Sequence, residues 1–133
     1  PVTARSVLEL DLCARELVNR QIPYLLGGRS LETGIDCSAL SQMLFERHLD
    51  ILLPRHSGDQ RRCGARVSPA QLEAGDVIYA TAHEKRWPHI AVVLSQGELV
   101  HACRSRGQVT LEAVSSFLEH YKFRGARRIG DLP

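Results

Sequence analysis

Cysteine and histidine are the residues of this sequence that could carry nucleophilic chemistry, and Cys37 has the most suggestive setting. It follows a glycine-containing turn and opens a segment whose apolar residues recur at helical spacing: Ala39, Leu40, Met43 and Leu44. A thiol in the first turn of a helix meets the positive end of the helix dipole and free N–H groups, which favour the thiolate. Cys37 is therefore a candidate nucleophile, although most cysteines only fill space in a core.

A nucleophilic cysteine needs a histidine base that is close in space and usually distant in the chain. His89 and His101 lie on two strand-like runs joined around residues 95–97. A three-residue loop with Gly97 in the left-handed conformation would place both histidines on one face of the sheet. A two-residue turn would place them on opposite faces. If they share a face, we expect His89 to act as the base and His101 to orient it.

Two other interpretations of these residues stay open. The two histidines could be ordinary hydrogen-bonded members of a sheet, or they could join Cys103 and Cys37 in a closed metal site, since zinc prefers thiolate and imidazole ligands. The spacing of these ligands matches no common metal site. We therefore expect an enzyme that needs no metal or other cofactor. His56 is a further histidine that could border the cleft.

The surrounding pattern predicts helices first and strands afterwards. A capping box at Ser6–Glu9 predicts a helix to about Arg20, and the Cys37 helix is expected to end near His48. Residues 55–66 have no clear period and could form a loop or a short helix, and residues 68–72 are typical of a single helical turn. Strand-like runs follow at 77–80, 90–94, 99–102, 109–111 and 123–129, with a helical turn at 117–121 capped by Ser116. This order is typical of an α+β domain, with N-terminal helices packed on a central antiparallel sheet.

Composition limits the possible classes of function. The 133 residues, 44% of them hydrophobic, suit one domain over residues 1–133. A net charge of +2 without dense basic clusters does not indicate nucleic-acid binding. We find neither an apolar stretch long enough for a membrane span nor a signal peptide, and we expect a monomer.

Taken together, the motifs resemble the NlpC family of bacterial cell-wall cysteine peptidases, a papain-like group. The resemblance runs from about Ile22 to Ala102 and rests on motifs in the family's order: Pro23-Tyr24, Gly27-Gly28, Asp36-Cys37-Ser38, Leu53-Pro54-Arg55-x-Ser57, Gly75-Asp76-Val77, His89 before a strand, and Val100-His101-Ala102.

The resemblance implies roles for individual residues. It makes Cys37 the nucleophile, His89 the base and His101 the third polar residue of the site. It also implies that Tyr24 helps the Cys37 N–H to stabilise an oxyanion. Asp36, Ser38 and Arg55 match positions that line or support the substrate cleft, and Asp36 and Arg55 could equally form a structural ion pair.

The resemblance further implies a substrate and a location. The expected reaction is hydrolysis of peptidoglycan stem peptides between D-γ-glutamate and the following diamino acid, in an extracytoplasmic compartment. The same triad could instead act as an amidase or acyltransferase on a protein or lipid, as in a toxin or a phage tail component. Three departures from the family pattern bear on the site and its specificity: Ala39 in place of glycine, Leu26 in place of an aromatic residue, and Trp87-Pro88 before the base.

Overall fold

The first helix begins earlier than its sequence signal suggests. A computed structural model describes residues 3–82 and 87–129 of the chain. Helix α1 (Ala4–Asn19) is capped by Thr3, whose side chain accepts from the Ser6 N–H while the Ser6 hydroxyl accepts from the Thr3 N–H. The predicted cap at Ser6 was therefore wrong, because Ser6 is the third helical residue and completes the capping box of Thr3.

The second helix begins at the cysteine, as predicted. A short ribbon of β1 (Arg29–Ser30) and β2 (Gly34–Ile35) leads into α2 (Cys37–Leu49), which ends at Asp50 in the left-handed conformation. The segment without a clear period contains α3 (Ser57–Gln60), and β3 (Ala65–Arg66) follows it. The expected turn after Ser68 is a 3-10 turn at Pro69–Gln71.

The second half of the chain forms the sheet. Its strands are β4 (Asp76–Ala82), β5 (Pro88–Val93), β6 (Glu98–Cys103), β7 (Gln108–Ala113) and, after helix α4 (Val114–His120), β8 (Tyr121–Arg128). The strand order is β3-β8-β4-β5-β6-β7, and every pairing is antiparallel. The α+β class with helices on an antiparallel sheet is confirmed. The cap predicted at Ser116 was wrong, since Ser116 lies inside α4 and Ala113 precedes the helix.

Helices cover both faces of the sheet. Alternate residues of β5 point into two cores: Ile90 and Val92 join α1 and α2, whereas Ala91 and Val93 lie in a second core with Phe117 of α4. No helix in the described part of the chain is both long enough and apolar enough to cross a membrane.

The loop between β5 and β6 decides the positions of the histidines. Val92 pairs with Val100 and Val93 with Leu99, and the Leu94 N–H donates to the Glu98 carbonyl at 2.8 Å. Gln96 and Gly97 both have positive φ, 59° and 72°. The three-residue loop and its register are thus confirmed, and this register places His89 and His101 on one face.

Candidate active site

Cys37 opens α2, and the helix start is held by the preceding residue. The Asp36 carboxylate accepts from the Ala39 N–H at 2.8 Å, which caps the helix and leaves the sulfur at its end. Burial raises the pKa of the Cys37 thiol, while the Ile90 N–H that faces the sulfur opposes this and the Asp36 charge adds to it. This direction is opposite to the lowered thiol pKa expected at a helix start, because the N–H groups at the helix end do not offset the loss of water around the sulfur.

The sulfur reaches the sheet beside the first histidine. Ile90, whose backbone N–H faces the Cys37 sulfur, is the residue directly after His89. Helix α2 packs on the Ile90 face of the sheet, whereas His89 lies on the Ala91 face, against α4. The Cys37 sulfur is therefore placed next to the start of β5, one residue along the chain from His89.

A hydrogen-bonded line of three side chains runs from His89 through His101 to Glu112. His89 Nε2 lies 2.7 Å from His101 Nδ1, and His101 Nε2 lies 2.9 Å from Glu112 Oε1. His89 is 7% exposed and His101 is 1% exposed. Burial lowers the pKa of each histidine to about 3, aided at His89 by His101 and at His101 by Arg106. Both rings are therefore neutral at neutral pH.

Neutral rings in this line have defined tautomers. A carboxylate only accepts, so His101 carries its proton on Nε2 and offers Nδ1 as an acceptor. His89 must then donate from Nε2. Its Nδ1 is left without a proton, which is the form that can take one from a thiol. Glu112 therefore sets, through His101, which nitrogen of His89 is basic.

Glu112 was missed by the sequence analysis, which ended its strand at residue 111. In the structure β7 continues through Ala113, and Glu112 pairs with Leu99, so it lies diagonal to His101 on the same face. The Ser116 hydroxyl donates to Glu112 Oε2 at 3.2 Å, and Arg106 Nη2 lies 4.0 Å from the same oxygen. Glu112 could have been found from its spacing in the sequence. In the β6–β7 register, β7 residues separated from His101 by an odd number of positions share its face, and Glu112 is an acidic residue at such a position.

Aromatic rings enclose the histidine pair. The Tyr121 ring stacks on His89 at a centroid distance of 4.8 Å, and Phe117 meets the His101 ring edge to face at 5.1 Å. Tyr121 also hydrogen-bonds Cys103, and burial is the main cause of the raised pKa of Tyr121. From the sequence, only a helical turn was predicted for residues 117–121. These rings exclude water and so keep both imidazoles neutral.

Asp36, Ser38 and Arg55 form a closed network under the start of α2. Arg55 donates from Nη1 and Nη2 to the two Asp36 oxygens at 3.1 and 3.0 Å, and from Nη1 to the Ser38 hydroxyl at 2.9 Å. The Gly27 N–H also donates to Asp36, at 3.1 Å. With these contacts the three side chains support the cysteine and have little capacity left for substrate, which favours the structural interpretation of Asp36 and Arg55.

Tyr24 lies near Cys37, and Arg104 lies near Tyr24. Tyr24 is half-buried; burial and the nearby Cys37 raise the pKa of its hydroxyl, and the Arg104 charge opposes them. The Arg104 guanidinium lies 3.4 Å from the centroid of the Trp87 ring. Arg104 was not predicted from sequence, and it places a positive charge near the Tyr24 hydroxyl.

The metal interpretation finds no support in the geometry of the ring nitrogens. His89 Nε2 and both His101 nitrogens are used in the line to Glu112. Among the residues that the structure describes, no group of three or more His, Cys, Asp or Glu side chains is arranged to hold a metal ion. His56 is exposed and precedes α3, outside the hydrogen-bonded line.

Comparison with known proteins decides the family. The family model described as NlpC/P60 matches residues 21–128, which is most of the chain. The chain belongs to the NlpC/P60 family. This confirms the resemblance drawn from the motifs, and the NlpC/P60 match extends it from Ala102 through the end of β8.

Curated relatives and solved structures agree with the NlpC/P60 assignment. A gamma-DL-glutamyl hydrolase of Bacillus subtilis (strain 168) is 33% identical over 112 residues, 84% of this chain and 27% of the relative. The murein DD-endopeptidase MepS/murein LD-carboxypeptidase of Escherichia coli (strain K12) is 32% identical over 111 residues, 81% of this chain and 56% of the relative. An NlpC/P60 family protein from Bacillus cereus ATCC 10987 superposes with a TM-score of 0.67 at 32% identity, covering 86% of this chain and 39% of that one. The chain thus spans between about a quarter and just over half of these curated relatives.

The Arg55 network of this NlpC/P60 domain gives a stability prediction. Replacing Arg55 by Ala removes a two-pronged hydrogen bond from Asp36, which is only 12% exposed, and we expect the free energy of unfolding to fall by about 2–3 kcal/mol. Arg55→Lys keeps the positive charge but cannot form both hydrogen bonds to Asp36, so its free energy of unfolding should fall by less. Urea unfolding of the three proteins measures this order. An Arg55→Ala midpoint equal to that of the native protein would contradict it.

The buried histidine pair gives a pH prediction. The folded pKa values of about 3 lie below the usual 6.5, so the unfolded chain takes up protons that the folded chain does not as the pH falls. Stability is therefore full above about pH 6.5 and declines below it, by up to ~1.4 kcal/mol per pH unit for each histidine. Urea unfolding between pH 7 and 5 should show a smaller decline for a His89→Gln/His101→Gln variant. An equal decline in both proteins would show that these histidines are not the cause.

Proposed function

We propose that this chain is the catalytic domain of a cysteine peptidase that hydrolyses amide bonds in peptidoglycan stem peptides. The observation that carries the proposal is the hydrogen-bonded line from His89 through His101 to Glu112, together with the Ile90 N–H, next to His89 in the chain, that faces the Cys37 sulfur. Relatives named for hydrolysis of γ-glutamyl bonds and of murein support the substrate class. The proposal treats residues 1–133 as one domain, acting as a monomer outside the cytoplasm on the wall.

The proposed reaction uses the resting protonation state. The Cys37 sulfur attacks the amide carbonyl while its proton passes to His89 Nδ1, and the Cys37 N–H and the Tyr24 hydroxyl stabilise the oxyanion. His89 then gives this proton to the leaving amine as the carbon–nitrogen bond breaks. A water molecule, deprotonated by His89, attacks the thioester and releases the acid. The raised pKa of the Cys37 thiol fits a mechanism in which the thiol proton moves to His89 during the attack. It does not fit a thiolate–imidazolium pair that forms before the substrate binds.

Glu112 is the positioning residue of this site. Glu112→Gln keeps an acceptor for His101 but removes the charge, and Glu112→Leu removes both. We expect kcat to fall by about 10- to 100-fold for Gln and further for Leu, with KM nearly unchanged, because the wrong His89 tautomer becomes accessible. Steady-state kinetics across pH 5–9 measures this. A purely structural role for Glu112 would lower the yield of folded protein while leaving kcat per folded molecule unchanged.

The bond is proposed to be the one between D-γ-glutamate and the diamino acid. A γ-linked glutamate keeps a free α-carboxylate close to its scissile carbonyl, and Arg104 supplies a cation near Tyr24, which itself lies near Cys37. Stacking on Trp87 fixes that cation. A gamma-D-glutamyl-L-lysine dipeptidyl-peptidase of Bacillus cereus, 31% identical over 111 residues, is named for a bond of the same type.

Defined peptides test the choice of bond. The protein is incubated with the tripeptide L-Ala-γ-D-Glu-diaminopimelate, with the same peptide carrying an α-amide on glutamate, and with a D-Ala cross-linked dimer, and products are read by mass. We expect cleavage of the tripeptide at the γ-glutamyl bond and slower cleavage of the amidated peptide. Arg104→Gln should abolish this difference. Cleavage of the cross-linked dimer alone would refute the γ-glutamyl choice, and cleavage of none of the peptides would refute wall-peptide hydrolysis.

A further inference from the structure

A separate cavity lies on the face of the sheet that carries α1 and α2, where β3, β8 and β4 meet the end of α3. Its volume is about 330 Å³, and four arginines line it together with the Tyr79 ring: Arg61, Arg66, Arg124 and Arg127. None of the residues of the candidate active site is in its lining. We propose that this arginine cavity binds the phosphate group of a phosphate-bearing ligand.

The sheet itself brings the charges together. Arg66 of β3 stands directly opposite Arg127 of β8, although like charges in that position destabilise an antiparallel pair. The β4–β8 register shifts between Tyr79 and Ala80, so that Tyr79 faces Gly125 and Ala80 faces Phe123. Arg124 is the extra residue of this bulge. A bulge redirects a side chain, and Arg124 Nε donates to the Thr81 hydroxyl, on the same face as Tyr79.

Three of the four guanidinium groups are held in place before any ligand binds. Arg61 lies 4.4 Å from the centroid of the Tyr79 ring. Arg127 Nη1 donates to the Gly64 carbonyl at 3.1 Å, and Arg124 Nε donates to Thr81 at 3.1 Å. Each contact leaves further N–H donors of the same guanidinium unused. Binding an anion would therefore order little that is not already ordered.

Among the described residues, none of the four cavity arginines forms an ion pair with a carboxylate. The ion pairs between side chains in residues 3–82 and 87–129 that involve arginine use Arg5, Arg15, Arg55, Arg106 and Arg128, and none uses a cavity arginine. Phosphate suits the cavity better than a carboxylate does. Phosphate carries up to two negative charges, and its oxygens point in several directions, so it can accept hydrogen bonds from several arginines. A carboxylate has only two oxygens, and one arginine can bind both of them. The source could be free phosphate or a phosphodiester polymer.

Calorimetric titration of the full chain at constant ionic strength tests the proposal with two probes, inorganic phosphate and an oligomer of glycerol phosphate. Binding of phosphate alone indicates the free ion as the ligand, and tighter binding of the oligomer indicates a phosphodiester polymer; both support the site. We expect Arg66→Gln to weaken binding about tenfold or more. The matched control is Arg62→Gln, an exposed arginine outside the cavity lining, which should change affinity little.

Three results would overturn the phosphate site. They are no binding of either probe, equal weakening by Arg66→Gln and Arg62→Gln, and equal affinity for a glutamate oligomer of the same charge. Folding gives an independent readout. In phosphate-free buffer Arg66→Gln should raise Tm, since it removes the repulsion from Arg127, and added phosphate should raise the Tm of the native protein more than that of the variant. A lower Tm of Arg66→Gln in phosphate-free buffer would contradict the uncompensated charge on which the proposal rests.

Discussion

Replacing Cys37 by Ala is expected to reduce hydrolysis of the γ-glutamyl tripeptide by about 10⁴-fold or more, to the limit of detection. The sulfur is the atom that forms the acyl-enzyme, and removal of a catalytic nucleophile typically leaves only the contribution of substrate binding and oxyanion stabilisation. The loss should appear in kcat, because the groups that would contact the substrate, such as Tyr24 and Arg104, remain. Product formation followed by mass measures it.

Two matched variants separate chemistry from folding in this prediction. Cys37→Ser keeps the shape of the side chain but supplies a much weaker nucleophile, so it should be nearly as inactive as Cys37→Ala. Cys63→Ala changes a half-buried cysteine beyond α3 and should keep most of the activity. Equal product from Cys37→Ala and the native protein would exclude Cys37 as the nucleophile.

Replacing His89 by Gln has the second-largest expected effect, a loss of about 10³- to 10⁴-fold in kcat/KM. Glutamine can still donate a hydrogen bond to His101 Nδ1, as His89 Nε2 does at 2.7 Å, but it cannot accept the Cys37 proton. Because the pKa of the thiol is raised, the cysteine alone should be a poor nucleophile at neutral pH. Alkylation of Cys37 by iodoacetamide at pH 7 should therefore slow in parallel with catalysis.

The control for His89 is His56→Gln, which changes an exposed histidine outside the line. It should leave both kcat/KM and the alkylation rate close to their native values. If instead His89→Gln kept native activity and His56→Gln lost it, the base would lie in the loop before α3 and the assignment from the strand geometry would be wrong.

The local geometry of the hairpin could be predicted from sequence because few residues decide it. Gly97 readily adopts positive φ, the loop length sets the register, and the register fixes the face of every side chain on both strands, although the positive φ of Gln96 was not predicted. The start of α2 was predictable for a similar reason, since Asp36 is a good N-cap directly before a helical pattern. These features depend on neighbours in the chain.

Features that depend on distant contacts were not predicted. Glu112 is significant only because β7 pairs beside β6 and brings its carboxylate to His101. Gln60 is fully buried and donates to the carbonyls of Ser38 and Pro54, yet in sequence it stands in a polar segment without a clear period. The raised pKa of the Cys37 thiol was not predicted because the effect of the helix end was considered without the burial of the sulfur. Burial of a polar group is set by the assembled core, which a local pattern does not describe.

The most direct test of the proposed mechanism is the mass of the protein during turnover. The native chain is mixed with the γ-glutamyl tripeptide, quenched in acid within the first turnovers, and analysed as intact protein and as peptides. The mechanism predicts an added mass equal to L-Ala-D-Glu minus water, located on the peptide that contains Cys37 and absent from Cys37→Ala. Turnover at the native rate with an adduct on another residue, or continued turnover by Cys37→Ala, would contradict it.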